Sequence, residues 1–138
     1  MFTQILVPTD FSPSSDAALA LARERFPGAS LRLLHVLDPR RVGSGGSPIH
    51  AGEAVEDAEA AMHGKLKALA GPNDETAVLV GDPADRILWA TDHWHPELVL
   101  MGTHGRTGLA HLLVGSVAEA VVRKAHVPVL VTKQPDQR

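Results

Sequence analysis

The chain has 138 residues, no cysteine and a formal net charge of −3. One domain spanning residues 1–138 is expected at this length, and the charge gives no electrostatic footprint for nucleic acid or for an anionic membrane. The apolar runs are far shorter than the roughly 20 residues that cross a bilayer, and the N-terminus lacks the pattern of a signal peptide. Without cysteine there is no disulfide framework and no thiolate chemistry, so a cytoplasmic protein is the default expectation.

Five apolar runs of strand length alternate with four helical patterns. The predicted elements, in chain order, are strand 4–7, a helix from Ser12-Pro13 to Pro27-Gly28, strand 31–37, a helix over about 53–70, strand 76–80, a helix from Asp82-Pro83, strand 98–101, a helix after Ser116 and strand 127–132. Two of these helices begin with a capping residue followed by proline, a common helix start. Ser116 is the predicted N-cap of the last helix.

The strands are continuous runs of Val, Ile and Leu rather than alternations of polar and apolar residues. Such runs are typical of a parallel sheet with helices on both faces. Right-handed crossovers then predict a doubly wound α/β fold with five parallel strands. If the strand order is 3-2-1-4-5, the order reverses between strands 1 and 4, and a ligand crevice is expected at their carboxyl ends.

Two segments would face that crevice: Pro8-Thr9-Asp10 and the stretch from Met101 to Ser116, which contains four glycines. Glycine lets a backbone approach a ligand closely, and Gly115-Ser116 at a helix start offers N–H groups to an anion. The stretch is longer than a helix connection needs, and it matches neither the P-loop nor the G-x-G-x-x-G pattern. The spacing Gly102-x2-Gly105-x9-Gly115-Ser116 therefore favours a phosphate site of another kind over a set of turn and cap glycines.

With these motifs the chain resembles the universal stress protein family over nearly its full length. The segments that carry the resemblance are Ile5 to Ser12, Leu34 to Val36, Gly81 to Ala84, Met101 to Leu109, Leu113 to Glu119 and Val127 to Val131. The G-x2-G-x9-G-[ST] spacing is the signature of the family's ATP-binding branch. The resemblance implies a Rossmann-like fold of the adenine nucleotide alpha hydrolase type, usually dimeric, with ATP between strands 1 and 4 and Mg²⁺ or Mn²⁺ on the triphosphate. Members act in stress survival, and many have no established reaction.

By position, the resemblance implies a role for each residue of the nucleotide site. Asp10 and Val36 would contact adenine, and Pro8-Thr9 would form the wall beside it. Met101-Gly102 would lie by the ribose. The phosphates would be held, mostly through backbone N–H groups, by Gly105, Arg106, Gly115, Ser116 and Val117.

Several polar side chains could take part in chemistry or could be ordinary surface or structural residues. His104 could shuttle a proton at a γ-phosphate, or it could point into solvent. Asp10 could act as a base or hold a metal, although a hydrogen-bond acceptor for the ligand is favoured. Asp38 could touch ribose or a metal, but an exposed loop carboxylate is the default. His93 and His95 look like a metal pair, yet residues two apart face different sides of a helix.

Two functions of different classes follow. The favoured one is a nucleotide-binding regulatory module; the alternative is a slow ATP hydrolase or phosphotransferase. Phosphoryl transfer needs a metal, a cationic group and an oriented nucleophile, and the sequence offers Arg106 and His104 but no P-loop lysine, so no residue is assigned as catalytic. The segment Pro39 to Gly52 could cover the nucleotide or contact a partner.

The last strand predicts a homodimer. Val127-Pro128-Val129-Leu130-Val131 is apolar and would lie at an edge of the sheet, where an open apolar strand invites aggregation. Pairing with a twofold mate removes that edge. The alternative is that the tail, residues 134–138, folds over it.

Overall fold

The computed structural model describes residues 2–41, 51–103 and 115–133, with backbone alone at residues 41 and 51–53. The elements are β1 (Gln4–Pro8), α1 (Pro13–Arg25), β2 (Ser30–Leu37), a single 3-10 turn (Pro39–Arg41), α2 (Ala51–Leu69), β3 (Glu75–Val80), α3 (Pro83–Trp94), β4 (Leu98–Gly102), α4 (Ser116–Lys124) and β5 (Val129–Thr132). The predicted alternation of strands and helices is confirmed. In the described part of the chain, no helix is both long and apolar enough to cross a membrane.

The sheet has the predicted doubly wound topology. Its strand order is β3-β2-β1-β4-β5, and each neighbouring pair is parallel. β1 lies in the middle, where Ile5 pairs with Leu31 of β2 on one side and with Leu98 of β4 on the other. The chain therefore adds β2 and β3 on one side of β1 and then β4 and β5 on the other side. The strand order reverses between β1 and β4.

The two faces of the sheet bury different side chains, because successive residues of a strand point to opposite faces. α1 and α2 cover the face of Ile5 and Val7, and the helical residues of that core are Ala18, Leu19, Ala22 and Leu66. α3 and α4 cover the face of Leu6, and the helical residues of that core are Ile87, Ala90, Ala118 and Val121. β1 is thus buried on both faces, as its apolar sequence predicts.

Two of the predicted helix starts are confirmed and one is corrected. The side chains of Ser12 and Asp82 each accept a hydrogen bond from the backbone N–H three residues later, at 3.3 and 3.1 Å. In α4 the N-cap is Gly115 and not Ser116, which is the first helical residue. Gly115 has an extended backbone and its N–H donates to the carbonyl of Thr103, so the helix follows directly from that bond.

The last strand is shorter than predicted. Val127 and Pro128 precede β5, which begins at Val129. Pro128 accepts a hydrogen bond from the Val99 N–H at 2.9 Å, but proline has no N–H with which to continue the ladder.

Gly102, the last residue of β4, lies directly against the first turn of α1. A Cβ at this position would lie 2.6 Å from both the carbonyl carbon and the carbonyl oxygen of Ser14, and it would also collide with the Ser14 hydroxyl. Ser14 is only 1% exposed and has no room to withdraw. The packing of α1 against β4 therefore requires glycine at this position, for a reason that involves no ligand.

At the opposite end of the sheet, Glu97 joins the start of β1 to the start of β4. Its carboxylate accepts hydrogen bonds from the backbone N–H groups of Thr3 and Gln4, each at 3.0 Å, and from the Thr3 hydroxyl. The Glu97 N–H donates in return to the Gln4 carbonyl at 2.9 Å. The bond from the Thr3 hydroxyl is the main reason why the pKa of Glu97 lies below its usual range.

The contact at Gly102 predicts that Gly102→Ala destabilises the fold by about 1–3 kcal/mol, the usual cost of overpacking. The matched control is Gly64→Ala in the middle of α2, where a Cβ would meet nothing within 4 Å. That control should gain about 0.5–1 kcal/mol, because alanine loses less backbone entropy in a helix. Urea unfolding followed by tryptophan fluorescence measures both changes, and equal effects at the two positions would contradict the packing argument.

The bonds to Glu97 predict a specific acid dependence. A carboxylate with a lowered folded-state pKa adds stability above its unfolded-state pKa, and this stability is lost as the pH falls through the folded-state value. Glu97→Gln should therefore be less stable than the wild type at neutral pH, and the difference should shrink once the pH falls below the usual glutamate pKa of about 4.3. Thermal unfolding across this range tests the prediction, with the exposed Glu56→Gln as the control for loss of a charge; a difference that does not change with pH would refute it.

Candidate functional site

Three of the residues assigned to adenine and ribose lie on the same face of the sheet. Val36 of β2 and Met101 of β4 both pack with the core beneath α3 and α4. Since Leu6 belongs to the same core, the alternation of side chains places Pro8 on that side as well. These three residues therefore lie on one face near the carboxyl ends of β1, β2 and β4, which is the end at which parallel sheets bind ligands.

The glycine stretch leaves the sheet and returns to it at nearly the same point. The Thr103 N–H donates to the Thr132 carbonyl at 3.0 Å, and the Thr103 carbonyl accepts from the Gly115 N–H. These bonds hold the N-terminus of α4 against the carboxyl ends of β4 and β5. Because the first N–H groups of a helix carry partial positive charge, this end of the crevice suits an anion.

Only part of the proposed phosphate site can be placed. Ser116 is exposed and Val117 is half-buried in the first turn of α4, directly after Gly115. Gly105 and Arg106, which were assigned to the phosphates, lie outside the described residues, and so does His104.

The turn between β1 and α1 is held by four side chains that we name the Ser15 network: Thr9, Asp10, Ser12 and Ser15. The Thr9 hydroxyl donates to Ser15 Oγ at 3.0 Å, and Ser15 Oγ lies 3.1 Å from Asp10 Oδ1. The same carboxylate oxygen accepts the Ser12 N–H at 3.0 Å. Thr9, Ser12 and Ser15 are all buried, so the network holds the half-buried Asp10 carboxylate at the carboxyl end of β1.

His35 of β2 holds the same turn from the other side. Its Nδ1 lies 2.9 Å from the Thr9 carbonyl, and because a carbonyl only accepts, Nδ1 carries the hydrogen. The Thr9 N–H donates to the Leu34 carbonyl at 2.8 Å. Phe11 follows with a left-handed φ of 64°, and its ring packs on the His35 imidazole at 5.0 Å, with Lys65 Nζ 5.2 Å from the Phe11 ring centroid. This unusual backbone is thus supported on both sides.

The structure corrects the expectation for Asp38. Its carboxylate is buried, not exposed, and the guanidinium of Arg40 binds it through two parallel bonds, from Nε at 2.9 Å and from Nη2 at 2.6 Å. Arg40 Nη2 also reaches Asp82 Oδ1 at 3.2 Å. The hydrogen bond to Asp38 raises the pKa of Arg40 above its usual range. Arg40 therefore ties the carboxyl ends of β2 and β3 together.

The histidines at the end of α3 have other partners than a metal. The His93 ring stacks on Trp89 at 4.3 Å, and its Nδ1 lies 2.8 Å from the Trp89 carbonyl. His95 is the left-handed C-cap of the helix. Across residues 2–41, 51–103 and 115–133, no group of three or more His, Asp and Glu residues is arranged to hold a metal ion.

Sequence reasoning missed the residues that support the site. Ser15 follows the Ser12 N-cap by three positions, but it is not the Glu or Gln of a capping box, so no local signal singled it out. The bonds of His35 and Arg40 join residues 26 and 42 positions apart in the chain. No local pattern identifies such partners.

Comparison with known proteins agrees with the fold. The model of the universal stress protein family matches residues 1–133. Universal stress protein MJ0577 of Methanocaldococcus jannaschii is 30% identical over 160 residues, which cover 97% of this chain and 96% of that protein. A solved structure of MJ0577 covers 99% of both chains with a TM-score of 0.87 at 29% identity.

A second solved structure is a universal stress protein in complex with cAMP. It is 25% identical to this chain, covers 97% of it and 98% of its own length, and has a TM-score of 0.58. The family match over nearly the whole sequence, together with the strand order and the position of the glycine stretch, leads to one conclusion: the chain belongs to the universal stress protein family.

Proposed function

We propose that the chain is an ATP-binding universal stress protein, a small nucleotide-binding regulatory module that acts in the stress response. The observation that carries this proposal is the hydrogen bond between the Thr103 carbonyl and the Gly115 N–H. This bond joins the carboxyl end of β4 to the N-cap of α4, next to the reversal of strand order. A helix N-terminus at that point is suited to the phosphates of a nucleotide.

The proposed nucleotide lies across the carboxyl ends of β1 and β4. Adenine would sit between Asp10 and Val36 against the wall of Pro8-Thr9, and the ribose would lie by Met101-Gly102. The phosphates would reach the start of α4 at Gly115, Ser116 and Val117, with Gly105 and Arg106 completing their site. The relative solved with cAMP supports an adenine nucleotide as the ligand class. Mg²⁺ or Mn²⁺ would accompany ATP through the oxygens of the triphosphate.

We propose binding rather than turnover as the function of this site. Backbone N–H groups and a helix dipole hold phosphates in the ground state and in the transition state alike. Such uniform binding does not raise the rate of a chemical step. The nucleotide would therefore act as a bound signal, and the cytoplasm is the proposed location for a chain without cysteine.

We further propose a homodimer that forms through β5. The strand order places β5 at an edge of the sheet. Each of its four residues is only partly buried within one chain, although Val129 and Val131 pack against the core beneath α3 and α4. A second copy that pairs along β5 would satisfy the open backbone groups of this edge and cover its apolar side chains.

The phosphate site predicts the effect of Gly115→Val. The backbone of Gly115, with φ −71° and ψ 163°, is one that valine adopts easily, so the fold should survive. The added side chain would obstruct the phosphates and should weaken ATP binding at least tenfold, or about 1.4 kcal/mol. Calorimetric titration with ATP and Mg²⁺ measures the change, with Gly64→Ala as the control for loss of a remote glycine; unchanged affinity would show that the phosphate site is wrong.

The dimer predicts a solution mass of two chains at micromolar concentration, measured by light scattering. Val129→Lys places a charge on the proposed interface strand and should yield monomer or misfolded protein, because an unpaired charge is costly to bury. A wild-type mass of one chain would contradict the dimer, whatever the variant does.

A further inference from the structure

The Ser15 hydroxyl occupies a central position beneath the candidate site without reaching the crevice itself. Ser15 is 5% exposed, and its Oγ lies within 3.1 Å of the Thr9 hydroxyl, Asp10 Oδ1 and the Ser12 carbonyl. Because Thr9 donates to it, the single hydrogen of Ser15 is available for Asp10, for the Ser12 carbonyl or for Ser12 Oγ at 3.3 Å. The Asp10 carboxylate is the charged acceptor among these, and hydrogen bonds to charged groups are the stronger ones.

Two bonds to Asp10 end on the same oxygen. Oδ1 accepts the Ser12 N–H from the backbone and the Ser15 hydroxyl from the first turn of α1. Two donors on one oxygen restrain the rotation of a carboxylate more than a single donor does, so these bonds orient the group.

We propose that Ser15 is a positioning residue for nucleotide recognition: its hydroxyl holds the Asp10 carboxylate in the one orientation that receives a donor from the ligand. This inference rests on the proposed function. An ionised carboxylate can only accept a hydrogen bond, and an adenine nucleotide carries two kinds of donor, the amino group of the base and the hydroxyls of the ribose. Ser15 would thus affect affinity without touching the ligand.

This role can be separated from the helix cap. The cap of α1 consists of the Ser15 backbone N–H donating to Ser12 Oγ at 3.3 Å. Ser15→Ala keeps that backbone group and removes only the hydroxyl. The variant should therefore retain α1 while the Asp10 carboxylate loses the Ser15 donor.

The test is a double-mutant cycle in the full-length protein, read by calorimetric titration with ATP. Ser15→Ala should weaken ATP binding by about threefold to tenfold, and Asp10→Asn should weaken it at least as much. The double variant should bind no more weakly than Asp10→Asn alone, because Ser15 acts through Asp10. Thr91→Val is the matched control: it removes another buried hydroxyl, which donates to the Leu88 carbonyl in α3, and it should leave affinity unchanged.

Three analogues identify the donor that Asp10 receives. The triphosphate of purine riboside lacks the amino group and gains no other donor, and 2′-deoxy-ATP and 3′-deoxy-ATP each lack one ribose hydroxyl. Relative to ATP, the analogue that lacks the relevant donor should lose less affinity in Ser15→Ala than in the wild type. The inference would be overturned if the losses of ATP-binding free energy in Ser15→Ala and Asp10→Asn add in the double variant. Wild-type ATP affinity in Ser15→Ala would overturn it as well.

A second readout needs no nucleotide. The Ser12 N–H donates to the oxygen that Ser15 restrains, so its hydrogen exchange, followed by NMR, should be faster in Ser15→Ala than in the wild type or in Thr91→Val. If the wild type binds none of these nucleotides, the proposed function is wrong, and Ser12 exchange then decides only whether Ser15 restrains the Asp10 carboxylate. Unchanged exchange at Ser12 would overturn that role even if ATP binds.

Discussion

The close contact between Ser14 of α1 and Gly102 of β4 is the constraint on which the geometry of the site depends. β4 ends at Gly102, and the first turn of α1 rests on that residue without space for a single methyl group. The turn that leads into α1 is thereby held beside the point where the glycine stretch begins. Both walls of the crevice meet at this contact, and a larger residue would push them apart.

From that contact the two walls are built differently. On the side of β1, side chains form the structure: the Ser15 network holds Asp10, and His35 holds the backbone of Thr9. On the side of β4, backbone groups form the structure, because the Thr103 carbonyl accepts a hydrogen bond from the Gly115 N–H at the start of α4. A wall of oriented side chains suits a ligand's hydrogen-bond donors, and a helix N-terminus suits its negative charge.

Gly102 shows that a residue of a functional motif can be required by packing. Gly102 belongs to the spacing that indicated a phosphate site, and its glycine character has a complete explanation in the packing of α1. Gly115 has an ordinary extended backbone and caps α4 through no side chain. A motif read as one functional unit therefore contains at least one residue whose identity is dictated by the core.

The fold was predictable to a large extent because its signals are local. The apolar runs, the Ser12-Pro13 and Asp82-Pro83 helix starts and the alternation of elements depend on neighbours within a few residues. The structure differs from the prediction where a local signal is ambiguous: Gly115 and not Ser116 caps α4, and β5 begins after Pro128 and not at Val127. The expected strand order is confirmed, so the segments that follow β1 and β4 do lie at neighbouring strand ends, while their role as a nucleotide site stays a prediction.

The sequence by itself determined the kind and order of the elements, the doubly wound class and the family. Periodicity, capping residues and motif spacing are patterns of residues that lie close together in the chain, so they can be recognised without the fold. Only the tertiary structure decided which strands are neighbours, why position 102 must be glycine, that Asp38 is buried against Arg40 and that Ser15 lies beneath Asp10. The physical reason is that strand pairing and close packing join distant segments, and that the short Ser15 contacts depend on exact side-chain directions within a folded turn. Neither is encoded in a pattern of nearby residues.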